Sequence, residues 1–216
     1  MKMLLKLPLS DALNDYLASR MKAYAALLIA NEKIPKAIEG SYSTEEIKNL
    51  LKQETHEKCA YCESRMLHVD YGDVEHIKPK HRNPYLRFDY ANLTLSCGVC
   101  NTNKSTHADI LNPYETNPSE HLVAHGPAIF RRSVSNIGMT TEKRLDLNRP
   151  QLLQKRNERL QALQQIADQI GRTNDAAIKS VLIDELRAES SGDKEFSLVA
   201  RTFISEIFTD LGLPQA

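Results

Sequence analysis

Apolar residues before position sixty recur at helical spacing. Leu13, Leu17, Met21, Tyr24, Leu27 and Leu28 fall on one face of a helix over 10–31. Ser43-Thr44-Glu45-Glu46 reads as a capping box, whose hydroxyl and carboxylate satisfy the open amides of a helix start, so a second helix runs toward His56. The pattern then changes. Val69, Tyr71, Val74 and Ile77 around Gly72 predict a short hairpin over 66–77, and Asn92 to Leu95 alternates polar and apolar like a strand. Residues from Asn101 onward open a short helix that Asn112-Pro113 stops. Pro127 to Arg132 and Met139 to Arg144 suit a small hairpin or an irregular connector. Asn148-Arg149-Pro150 then starts a long helix with proline in its tolerated first turn. Its stripe is Leu153, Leu160, Leu163, Ile166 and Ile170, and Gly171 ends it. Thr173 or Asn174 caps a further helix to about Ser190, Ser191-Gly192 breaks it, and a last helix runs to about Leu211.

Composition narrows the class. The 216 residues are 41% hydrophobic and 26% charged, enough to bury a core with appendages. Lys plus Arg and Asp plus Glu both number 28, for a net charge of zero. That balance argues against coating a nucleic acid by bulk positive charge, and makes any such contact local or shared with a partner. No stretch reaches the roughly 18 apolar residues of a membrane helix. The opening Met1-Lys2-Met3-Leu4-Leu5-Lys6 lacks the apolar core and cleavage site of a signal peptide. A cytoplasmic chain without membrane attachment is the expectation.

All four cysteines sit in two pairs, Cys59-Ala60-Tyr61-Cys62 and Cys97-Gly98-Val99-Cys100. Two such knuckles can close four thiolates tetrahedrally on one Zn²⁺. Two disulfides or buried thiols are the alternatives, and disulfides suit an oxidising compartment that nothing here implies. The interval between knuckles exceeds the ~15–20 residues of a simple zinc ribbon, so something is inserted.

The insertion reads Asp73-Val74-Glu75-His76-Ile77-Lys78-Pro79-Lys80, then Asn92-Leu93-Thr94-Leu95-Ser96, and the second knuckle runs into Asn101-Thr102-Asn103-Lys104. This order, Cys-x-x-Cys, Glu-His-Ile-x-Pro, Asn-Leu-x-x-x-Cys-x-x-Cys-Asn-x-x-Lys, resembles the HNH endonuclease family with its ββα-metal fold. Asn101 stands where many members have His, and Glu75 where many have Asp. Leu111-Asn112-Pro113-Tyr114, Asn117-Pro118-Ser119-Glu120-His121-Leu122 and Leu145-Asp146-Leu147-Asn148-Arg149 are similar to the HNH subunits of Septu-type antiphage systems, some of which accompany retrons.

His76 suits a general base, because an imidazole with an ordinary pKa near 6.5 can take a proton from water at neutral pH. Glu75 and the Asn101 amide offer hard oxygens to Mg²⁺ or Mn²⁺. Neighbours on a strand face opposite ways, so Glu75 and His76 converge only if the backbone bends. The resemblance implies that Asn92 braces that bend, that Glu75 and Asn101 hold the catalytic ion, and that His76 activates water. It further implies a phage-defence role beside an ATPase subunit.

Lys78, Lys80, Arg82, Arg87 and Lys104 oppose Asp73, Glu75 and Asp89 within 73–108. Lys104, one turn beyond Asn101, is placed to reach a phosphate, and Lys80 and Arg82 are further nucleic-acid contacts. Several alternatives stay open. Asp73, on the same strand face, could replace Glu75 as metal ligand. Asn92 and Asn101 could be plain caps. Tyr85, Phe88 and Tyr90 could stack on bases or pack the loop. From Pro150 onward eight cations face ten anions, so the last helices are a core or a protein-docking surface rather than a nucleic-acid surface.

The expected fold is α+β and mostly α. N-terminal helices (1–57) and a C-terminal helical region (150–216) flank a zinc-clamped ββα-metal core (58–112), with a connector over 113–149. The expected activity is hydrolysis of nucleic-acid phosphodiesters, with DNA favoured over RNA. The alternatives are a stand-alone HNH nuclease and a zinc-ribbon adaptor that binds nucleic acid or protein and cuts nothing.

Overall fold

The computed structural model describes residues 1–214, so the last two positions of the expected C-terminal region lie outside the described residues. The chain divides into two compact units. One holds 4–60 and 65–108. The other holds 109 onward with the short stretches 1–3 and 61–64.

In the first unit, α1 spans Asp11–Ile29, with the Ser10 hydroxyl accepting from the Leu13 amide at 3.3 Å. A one-turn α2 (Lys36–Glu39) precedes α3 (Glu45–Glu54), which buries Ile47 and Leu51. Thr44 caps α3 alone, its hydroxyl accepting from Ile47 N, so the cap is simpler than the expected box. Two strands follow: β1 (Asp73–His76) and β2 (Leu93–Ser96), antiparallel, with Glu75 opposite Thr94 and His76 opposite Leu93. All four β2 residues are buried, and α3 packs on this strand.

The hairpin expected within 66–77 is absent. Val69 and Tyr71 are exposed, and only 73–76 pairs, with a strand seventeen residues away. Their β propensity finds no buried face to pack on, and without one a strand gains little. Gly72 adopts φ +71° just before β1, where a Cβ would meet Leu95 Cδ1 and Met66 Cε at 3.0 Å. Helix α4 spans Gly98–Lys104, starting within the second knuckle rather than at Asn101.

The second unit opens with a hairpin of β3 (Leu122–His125) and β4 (Ala128–Arg131). Asn148 secures it, its Oδ1 accepting from Ile129 N at 2.8 Å and its Nδ2 donating to Ile129 O at 2.6 Å. Residues 136–144 form helix α5 (Asn136–Arg144), not part of that hairpin. The long α6 (Pro150–Arg172) buries Leu152, Leu160, Leu163, Ala167 and Ile170, and passes through Gly171 to end one residue later. Asp175, rather than Thr173 or Asn174, caps α7 (Ala176–Ala188), and α8 (Ser197–Asp210) follows. Helix α6 packs on α7 and α8, and α8 packs on β3. Arg156 lies inside this unit and donates to Leu147 O at 2.7 Å.

Among the described residues the fold is thus mostly helical with two small sheets, as the sequence leads one to expect. No helix among the described residues is long and apolar enough to cross a membrane.

Candidate functional site

Strands β1 and β2 and helix α4 form a ββα unit, and one face of it opens into a cleft of about 370 Å³. Glu75, His76, Lys80 and Asn101 line it together with Tyr42 and His81. The two strand neighbours therefore do share one site. The backbone leaves the ladder at His76, and Asn92 holds the departing chain. Asn92 Oδ1 accepts from Lys78 N at 2.7 Å, while its Nδ2 donates to Lys78 O at 2.9 Å and to Leu86 O at 3.2 Å. Asn92 itself does not line the cleft; it acts on it through the backbone.

His76 is 3% exposed, and its Nε2 lies 2.9 Å from the Arg87 carbonyl oxygen. A carbonyl only accepts, so Nε2 carries the proton and Nδ1 keeps the basic lone pair. Burial lowers the imidazole pKa to about 4, with the cations Lys80, Arg87 and Lys104 adding to the effect against the bond to Arg87. At neutral pH the ring is uncharged and able to accept a proton.

Glu75 meets Lys104, whose ammonium lies 2.7 Å from Glu75 Oε1 and 2.7 Å from the His76 carbonyl oxygen. Burial nonetheless holds the Glu75 carboxyl above its ordinary pKa, outweighing the charge and hydrogen bond of Lys104. Asn101 Nδ2 donates to Asp73 Oδ2 at 2.9 Å, which turns the amide oxygen, the better metal ligand, away from Asp73.

The four cysteine sulfurs lie within 4.8 Å of one another. Tetrahedral bonds of about 2.3 Å to zinc place sulfurs roughly 3.8 Å apart, so the set fits such an ion. The Cys97 sulfur also accepts from Cys100 N at 3.5 Å, so the knuckle caps α4. This cluster could clamp zinc.

Residues 59–107 match the model of the HNH endonuclease family. The chain therefore carries an HNH domain at the place its motif indicates. It is also 36% identical over 107 residues to a Septu protein PtuB of Bacillus thuringiensis, covering 47% of this chain and 41% of that protein. To a Septu protein PtuB of Bacillus mycoides (strain KBAB4) it is 30% identical over 151 residues, covering 54% and 51%. The chain spans about half the length of the curated relatives it matches. The resemblances to HNH endonucleases and to Septu-type nuclease subunits agree with these matches.

Within the HNH domain one expectation is corrected. Lys104 does not face solvent ready for a phosphate; it is 1% exposed and engaged with Glu75 and the His76 carbonyl. A long cationic side chain one turn along a helix packed on β1 meets the carboxylate first. Lys80 does line the cleft, with its ammonium 2.9 Å from Tyr42 Oη. Arg82 is exposed and is not among the cleft-lining residues. Arg87 is not a solvated cation. It is buried, donates to Glu39 O at 3.0 Å and to Glu39 Oε1 at 3.2 Å, and its backbone fixes His76. Phe88 and Tyr90 are buried and pack the loop, whereas Tyr85 is exposed.

Tyr42 belongs to the site without any motif announcing it. It lies between α2 and α3, more than thirty residues before Glu75, and its ring meets the His76 ring edge-on at 4.5 Å between centroids. A turn ahead of a helix cap is the one local signal at that position.

Proposed function

We propose that this chain is a divalent-metal-dependent HNH endonuclease that hydrolyses nucleic-acid phosphodiester bonds. In this reading it is the nuclease effector of a Septu-type antiphage system and works with an ATPase partner. The observation that carries the chemistry is His76, uncharged and held through Nε2 by the Arg87 carbonyl, in one cleft with Glu75 and Asn101.

In-line attack forms a bond from water oxygen to phosphorus and breaks the bond to the leaving oxygen. His76 Nδ1 takes the proton released by the water, and the leaving oxygen takes a proton from solvent water. Glu75 and Asn101 would hold Mg²⁺ or Mn²⁺, which supplies positive charge against the crowded phosphate oxygens. Asn92 and Arg87 keep the base in place, and Lys104 positions Glu75. A Zn²⁺ ion on Cys59, Cys62, Cys97 and Cys100 would hold the ββα unit closed. DNA is the preferred substrate in this reading, RNA the second. The defence role and the ATPase rest on the likeness to the two Septu proteins, and the neutral net charge suits substrate binding shared with a partner. A cytoplasmic location follows from the same role.

The test incubates plasmid DNA and RNA with the protein and Mg²⁺ or Mn²⁺, beside the His76→Ala variant. Wild type cleaves, and the variant loses about a hundredfold or more of the rate. Equal cleavage by both removes His76 from the mechanism. Co-purification from the native host brings down an ATPase; its absence refutes the complex.

A further inference from the structure

The cleft has a wall that the HNH motif does not supply. Tyr42 comes from residues 40–44, outside the matching segment 59–107. Its ring packs edge-on to His76 at 4.5 Å, and its hydroxyl oxygen accepts a hydrogen bond from Lys80 Nζ at 2.9 Å. Lys80 stands one side chain beyond Pro79 on the same cleft, and its charge acts on both Glu75 and His76. A phenol has one proton to donate and accepts through its lone pairs. With the ammonium on a lone pair, the O–H remains to donate to a ligand in the cleft. The ammonium has three donors and spends one on Tyr42. The pair thus presents an O–H and an N⁺–H donor side by side next to the base, a set that matches the two non-bridging oxygens of a phosphodiester.

We propose that Tyr42, together with Lys80, grips the non-bridging oxygens of the scissile phosphate, making Tyr42 a substrate-contacting residue contributed from outside the HNH segment. The inference rests on the nuclease reading above. Phosphate charge grows against this pair as attack proceeds, so the contact acts on turnover as well as on binding. The Tyr42 ring has a second task, to pack the imidazole, and that task survives loss of the hydroxyl.

The experiment uses the full chain and compares wild type with His76→Ala, Tyr42→Phe, Tyr42→Leu, Lys80→Met and the Tyr42→Phe/Lys80→Met pair. Tyr42→Phe keeps the ring and the fold, and cleavage falls roughly 10- to 100-fold with an unchanged melting temperature, the effect of deleting one hydrogen bond to a charged group. Lys80→Met falls comparably. The double variant falls by less than the product of the two, because the donors share one phosphate. Tyr42→Leu falls further than Tyr42→Phe. Binding of a labelled duplex, read by anisotropy with His76→Ala as background so that nothing is cut, weakens severalfold on adding Tyr42→Phe. Wild-type cleavage with Tyr42→Phe within twofold of it, and unchanged duplex binding, overturns this inference and leaves the nuclease intact. A wild type that cuts neither DNA nor RNA, alone or with its co-purified partner, overturns the nuclease reading and this one with it.

Discussion

Replacing Lys104 with methionine keeps an unbranched stem of similar bulk but removes the charge from the floor of the site. Two contacts disappear, each 2.7 Å long, one to Glu75 Oε1 and one to the His76 carbonyl oxygen. Removing one partner of a buried ion pair costs about 3–5 kcal/mol, because the other charge stays behind without compensation. The Glu75 side chain is 11% exposed, so water recovers a little of that, and the expected loss is about 3 kcal/mol. Glu75→Gln in the same background removes the stranded charge and returns about 1 kcal/mol or more.

The pH dependence has a definite sign. The folded-state pKa of Glu75 already lies above the ordinary value, so the folded chain holds the proton more tightly, and this carboxyl costs stability as pH rises above 4.5. Without Lys104, which pulls that pKa down, the gap widens. The Lys104→Met loss should therefore be larger at about pH 8 than at about pH 5. Urea denaturation followed by circular dichroism measures all three quantities. A loss below about 1 kcal/mol, simple additivity with Glu75→Gln, or a loss that grows toward acid would each refute the reasoning.

His76 is neutral in the fold down to a pKa of about 4, so kcat/KM should hold through pH 6.5 and fall only as pH approaches 4; an inflection near 6.5 would mean a solvated imidazole. The unfolded chain takes that proton first, near 6.5, so stability also declines between pH 6.5 and 4, by up to about 3 kcal/mol. The purified chain should carry about one zinc by elemental analysis, and Cys100→Ala should lose the metal and melt earlier; full occupancy in that variant would take zinc away from the cluster. Asn92→Ala should cost about 2–4 kcal/mol, since three hydrogen bonds at the bend vanish, whereas Asn92→Asp keeps the acceptor for Lys78 N and should cost less by thermal denaturation.

Much of this protein is local and therefore visible in the chain. The knuckles at Cys59-Cys62 and Cys97-Cys100 are spacings, and their clustering needs only that two short loops meet. Helices α1 and α3 follow from apolar periodicity and capping hydroxyls, and α6 from periodicity behind a first-turn proline, forces that act within a few residues. The Glu75-His76 step and Asn101 were legible because a strand and a helix in contact bring them to one cleft.

What the tertiary structure decided depends on residues far apart in sequence. Val69 and Tyr71 have the chemistry of a strand and stay outside one, because pairing needs a partner and the partner is β2. Lys104 and Arg87 look like surface cations in the sequence, yet both are buried, Lys104 against the buried Glu75 and Arg87 against Glu39, which itself stays exposed. Tyr42 reaches His76 and Lys80 only once the segment between α2 and α3 lies along the cleft. Spacing reveals which side chains can act together along one element. Which charge is buried and which wall a cleft acquires is fixed by packing between elements, where burial energy outweighs local preference.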